Sequence, residues 1–265
     1  AVAGTTRMIL DSNSRISLSN NAGGNNNTVF GKLAGLDLDS NGHYNSFFGE
    51  QAGTNSTHTE YNTAIGYTAL HGNDSTAQTG DSNTAIGAMS LFMLTSGSSN
   101  TAIGRDTLRT ANTGASNVAI GQTSMYSLTS GGSNVGVGNG SLYSNETGQF
   151  NTAVGISSLS SVSGSRNTAI GYFSGRYASS GEDNTFLGYS AGANGESDDV
   201  ASNTAADNIA IGFQSMGAAY GGVSAHFTAT KNIAIGRNSM KNNSTGTENV
   251  TLGYLAGELL GANGE

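Results

Sequence analysis

The chain has 265 residues, a formal net charge of −8 and an isoelectric point near 4.8, and only 11% of its residues are charged. This balance indicates neither a polyanion-binding surface nor charge-driven extension, so no nucleic-acid partner is expected. Cys, Pro and Trp are absent. The lack of Cys excludes a disulfide framework and thiolate metal sites, and without Pro every backbone N–H is available to a continuous ladder.

Residues 1–26 form an N-terminal lead-in. The opening Ala1-Val2-Ala3-Gly4-Thr5-Thr6 lacks the layout of a signal peptide, and no apolar run anywhere approaches the roughly 20 residues that span a bilayer. A soluble chain with no membrane insertion is therefore expected. The stretch Arg7 to Leu18 reads as a short β segment.

From residue 27 to 257 a five-residue phrase recurs thirteen times, usually 17 residues apart. It is Asn, then Thr, Ser, Val or Ile, then Ala or another residue, then Ile, Val, Leu or Phe, then Gly. Examples are Asn100-Thr101-Ala102-Ile103-Gly104 and Asn117-Val118-Ala119-Ile120-Gly121. A fixed period of this size signals a solenoid, whose units must stack to bury their apolar faces. The phrase is a short strand, with its second and fourth positions on one face and its third on the other.

The fourth position (Phe30, Phe48, Ile65, Ile103, Ile120 and their equivalents) is expected to point into a dry interior. The third is mostly Ala or smaller, with Phe47 and Phe186 among the exceptions. A strand apolar on both faces is buried on both. That points to an oligomer, economically a homotrimer around an axis; a single-chain roll with a buried Ala sheet is the alternative, and the pattern leaves open which face meets the axis.

The Gly in fifth position, as in Gly104 and Gly121, predicts a tight corner with positive φ or a contact that excludes Cβ. The segment after it, small residue then Leu, Met or Gly, reads as an outer strand. Ten units have Gly three residues before an Asn, a turn signal. The leading Asn residues are expected to align into a side-chain ladder. At about 4.8 Å per rung the rod would be on the order of 60 Å long.

The rhythm breaks from Asn62 to Asn83 (21 residues), from Asn184 to Asn208 (24) and from Asn208 to Asn232 (24). Insertions in a solenoid map to loops that often carry binding. The first long loop holds Glu196, Asp198 and Asp199, without the ligand spacing of a calcium site, so a solvated acidic loop is favoured. The second holds Tyr220, His226 and Phe227, suited to stacking on a sugar ring or meeting a protein receptor, or to folding the loop onto the roll. The four histidines show no metal-ligand pairing, and no cofactor is expected. Gly136 to Gly140 is Gly-rich but does not lie between a strand and a helix, so phosphate binding is not expected. No enzymatic motif is found in context, although a pair of glycosidase carboxylates could be assembled between rungs. Thr at the second position exchanges with Val and Ile, which argues for packing and against an ice-binding Thr lattice. Residues 258–265 form a C-terminal tail.

The Asn-Thr-Ala-Ile-Gly units resemble the head repeats of YadA-like trimeric adhesins, and more closely the related repeats of bacteriophage tail fibres and tailspikes; Arg7 to Leu18 resembles the β segment leading into them. The likeness covers about residues 5–257. It implies an all-β fold, a left-handed parallel β-roll assembled as an intertwined homotrimeric fibre, at a virion or cell surface. The units here exceed the near-14-residue repeats of YadA-like heads. Phage fibres of this kind are often followed by a self-trimming endosialidase-type chaperone, and a trimeric autotransporter needs a coiled-coil stalk and a membrane anchor; residues 1–265 carry none of these segments, so either a chaperone removed after Gly261-Ala262-Asn263-Gly264-Glu265 or a different native architecture is expected. The expected function is structural and adhesive: a tail-fibre segment binding a cell-surface glycan or protein. A bacterial trimeric adhesin or extracellular filament subunit is the alternative.

Overall fold

The computed structural model describes residues 9–10, 16–17, 26–73, 77–193, 204–217, 228–242 and 245–257. In the lead-in, β1 (Ile9–Leu10) and β2 (Ile16–Ser17) pair antiparallel. The remaining thirteen strands, β3 (Thr28–Phe30) through β15 (Val250–Leu252), form one parallel sheet in strict sequence order. Each is three residues long and sits in phase with its neighbours: Thr101, Ala102 and Ile103 of β7 pair with Val118, Ala119 and Ile120 of β8. The fold is an all-β parallel solenoid with one short strand per coil.

Each coil turns at the corner Gly. Gly104 has φ +136°, and a Cβ there would lie 2.7 Å from the carbonyl of Gly121 one rung on. Both sequence readings of this Gly therefore hold: the dihedral is one L side chains rarely adopt, and the neighbouring backbone leaves no room. The Gly residues that close the coils act differently. Gly114 lacks a positive φ, but its Cβ would stand 2.8 Å from the Gly131 carbonyl oxygen. Close stacking selects Gly there.

The segment after the corner is a chain of turns rather than the outer strand that the sequence suggests. Its second and fourth residues are left-handed even where they carry side chains, as in Ser157 (φ 51°) and Leu159 (φ 48°). Such conformers cost roughly 1–2 kcal/mol each. They persist because stacking satisfies their amides: Ser157 N–H donates to Asn139 O at 2.9 Å on one side, and Leu159 N–H to Ser174 O at 2.9 Å on the other. A third left-handed residue precedes every Asn of the repeat, Ser99 (φ 61°) and Ser116 (φ 59°) among them. The ladder overrides residue preference at all three places.

The core is a thin column inside the coil. It is filled by the third strand position (Ala64, Ala85, Ala102, Ala119, Ala153) and by the Leu and Met of the turn segment (Leu70, Leu91, Leu108, Met125, Leu142), all fully buried. Phe47 and Phe186 replace Ala within this column. They are accommodated because the facing turn residues are Gly: Gly35 and Gly53 beside Phe47, Gly175 and Gly192 beside Phe186.

Candidate functional site

Two features dominate the molecule, a buried polar spine and an exposed apolar face. The spine is the Asn column. Asn117 accepts the backbone N–H of Asn134 on its Oδ1 at 3.0 Å and donates Nδ2 to the Gly131 carbonyl at 3.0 Å. Asn100 does the same for Asn117 and Gly114, at 3.0 and 2.8 Å. The relay runs from Asn27 to Asn249, linking each Asn N–H to the Oδ1 of the Asn one rung before. Most of these side chains are fully buried, and pairing is what makes their burial affordable. The spine is structural, as its regularity implies.

The exposed face corrects the sequence reading of the strand. Ala102 lies inside the coil and Ile103 lies outside it. The fourth position does not point into the protomer interior: Ile65, Ile170 and Leu187 are each about 41–42% exposed in the single chain. The reason is volume. The coil interior already holds a Leu or Met from the turn segment, which leaves a methyl's worth of space at the strand centre in most rungs. The larger side chains are forced outward with the β-branched second position. Across thirteen rungs these two outward columns, Thr28 to Val250 and Phe30 to Leu252, hold no charged residue. The fourth-position column is apolar in every rung, and a continuous apolar stripe left partly exposed marks an interaction site.

The coil's flanks carry columns of stacked aromatics. Tyr172 and Tyr189 stack at 5.4 Å between ring centroids, and Tyr189 and Phe213 at 5.0 Å, ending under the Arg237 guanidinium at 4.8 Å. Tyr126 and Tyr143 stack at 5.2 Å, and Tyr44 and Tyr61 at 5.1 Å. These spacings follow from the strand-to-strand repeat. A surface groove of about 420 Å³ opens beside Tyr143, lined by residues from four successive rungs including Ser160, Ser161, Arg176 and Tyr177. Sequence reasoning missed it, because no single repeat contains more than part of its lining.

Several charged groups pair between rungs. Arg166 donates from Nε to Asp183 at 2.6 Å and from Nη2 to Glu182 at 2.6 Å. These bonds raise the Arg166 pKa and hold the Asp183 carboxyl below the usual carboxylate range, the hydrogen bond from Arg166 being the main cause. Among the described residues no group of three or more His, Cys, Asp or Glu side chains is placed to hold a metal ion. No helix there is long and apolar enough to cross a membrane.

The receptor-contact candidates Tyr220, His226 and Phe227, and the acidic group Glu196, Asp198 and Asp199, lie outside the described residues. Fold and surface together define the class: a repetitive parallel β-solenoid with an Asn spine and an uncharged outer sheet face. Comparison with known proteins adds no family, since no family model, curated protein or solved structure matches the chain.

Proposed function

We propose that the chain is a segment of a fibrous attachment protein, in which three copies pack through their outward sheet faces into a homotrimeric rod that binds a cell-surface receptor multivalently. The single observation that carries this reading is the uncharged column of Ile, Val, Leu and Phe at the fourth strand position, partly or largely exposed in every rung. Its occupant is taken to be another copy of the same chain, because the face repeats at constant spacing and a partner with the same repeat matches it rung for rung. The alternating β-branched and large side chains suit interdigitation, which a solvated face does not need.

The repeat's resemblance to bacteriophage tail-fibre and YadA-like head repeats supports assigning the rod to a virion tail fibre with a left-handed coil. A bacterial surface adhesin is the neighbouring reading. A rigid trimer presents three copies of every loop and groove, so weak contacts sum to avidity of roughly 10²–10⁴ over a single site. The test is adhesion of the labelled chain to a panel of bacterial and eukaryotic cells, beside a variant held monomeric by Ile103→Asp. Binding by the trimer that is largely lost in the monomer supports the reading. Absence of binding to every cell type overturns the attachment role.

A further inference from the structure

The groove beside Tyr143 offers chemistry that the stacking of the coil does not require. It is built by turn residues of the four coils that follow Gly121, Gly138, Gly155 and Gly171, and none of its lining belongs to the outward columns of the sheet. It is therefore distinct from the face proposed for assembly. At about 420 Å³ it falls within the range of small-ligand sites, roughly 300–1,000 Å³.

Its lining combines three kinds of group. The first is hydroxyls: Ser157, Ser160 and Ser161 are among them. The second is aromatic, with Tyr143 and Tyr177 at the groove and Tyr143 steadied by its stack on Tyr126. Tyr126 is itself fixed by the Arg109 guanidinium, whose Nη1 donates to its hydroxyl at 2.9 Å. The third is the Arg176 guanidinium, held 4.1 Å from the Phe173 ring centroid and 4.8 Å from that of Tyr177.

Arg176, like Arg237 over the Phe213 ring, differs from the other arginines of the repeat domain. Arg105 and Arg109 are matched to Asp106, and Arg166 to Glu182 and Asp183. Among the described residues Arg176 has no carboxylate partner; its neighbours are two rings, which orient the guanidinium without neutralising it. The backbone beneath it is fixed, since Ser161 N–H donates to the Arg176 carbonyl at 3.1 Å. A pre-oriented, unneutralised guanidinium among hydroxyls and aromatic rings complements an acidic sugar: an anionic group such as a carboxylate for the guanidinium fork, hydroxyls for the serines and an apolar C–H face for a tyrosine ring.

We propose that this groove binds a carboxylate-bearing sugar, a uronic or sialic acid residue of a surface polysaccharide, with Arg176 holding the carboxylate. The inference rests on the attachment reading and names the class of its receptor. Three copies of the groove in a trimer would engage a repeating acidic glycan together, compensating for a shallow site.

The test is titration of the full chain with a glucuronate-containing oligosaccharide and with a sialyl-oligosaccharide, each beside its neutral counterpart lacking the carboxylate. Saturable binding of at least one acidic sugar is expected, weaker by about tenfold or more for its neutral counterpart and for the Arg176→Gln variant. Ser161→Glu, which adds a negative charge to the groove, should weaken it in the same way, with both variants keeping the wild-type circular dichroism and mass. Equal binding of the neutral sugars, unchanged binding by either folded variant, or no binding of either acidic sugar would overturn the proposal. Cell adhesion separates this from the broader reading: adhesion that survives Arg176→Gln removes the groove and keeps the attachment role. A wild-type chain that binds the acidic sugars but adheres to no cell keeps the groove and removes that role.

Discussion

Phe47 occupies the space that a side chain on Gly53 would need: a Cβ on Gly53 would stand 2.5 Å from the Phe47 ring. Backbone conformation is not the obstacle. Leu70, Leu91 and Leu108 hold the equivalent place in other rungs with a left-handed φ of 50°, close to the 63° of Gly53. The obstacle is the ring, and the two positions share one volume. Gly53→Leu should therefore destabilise by about 1–3 kcal/mol through overpacking, and Phe47→Ala by about 3–5 kcal/mol through the cavity it leaves. Combining the two restores the Ala and Leu pairing of the other rungs, so the double variant should melt above both single ones. Additive losses in a thermal double-mutant cycle would contradict the shared volume.

The buried Asn spine makes a sharper claim about single residues. Asn117→Ala removes the acceptor of the Asn134 N–H and the donor to the Gly131 carbonyl, both buried. Each orphaned group costs about 1–3 kcal/mol. The exposed Asn139 lies outside the spine, and its change to Ala should stay within about 0.5 kcal/mol. Equal melting temperatures for the two variants would show that the spine contributes nothing beyond space filling.

Opposite faces of one strand should respond differently to charge. Ala102→Glu places a carboxylate inside the coil and should prevent folding. Ile103→Asp faces outward, so the coil should form while assembly fails. Circular dichroism combined with mass measurement distinguishes these outcomes. Loss of β signal in both variants would place Ile103 in the protomer core.

The pair of Arg166 with Asp183 sets a modest pH dependence. Because the folded Asp183 pKa is lowered, its contribution is present above the unfolded value near 4 and is lost as pH falls through the folded one. Its solvent exposure keeps the effect small. Arg166→Gln should lower the melting temperature slightly at pH 7 and converge on wild type in strongly acidic solution. A difference that grows on acidification would contradict this.

Much of the architecture is legible in the repeat. The period fixes the solenoid, Asn in first position predicts the spine, and Gly104 and its equivalents predict the corner. The direction of the strand faces is not legible from alternation, which is symmetric between Ala102 and Ile103. Side-chain volume decides it, and the clue lay in pairing Phe47 with Gly35 and Gly53 rather than with its own strand. The turn segment is not legible because Ser157 and Leu159 adopt left-handed conformers that their residue types do not announce; the stacked amides impose them. The groove at Arg176 draws on four coils, so no local motif encodes it.

If the outward sheet face is the contact between copies of the chain, it sets the mass in solution, which light scattering coupled to size-exclusion chromatography measures. A single species of about 80 kDa, three times the 26.7 kDa chain, is predicted. A well-folded 26.7 kDa monomer with its Ile and Val face in water would contradict it.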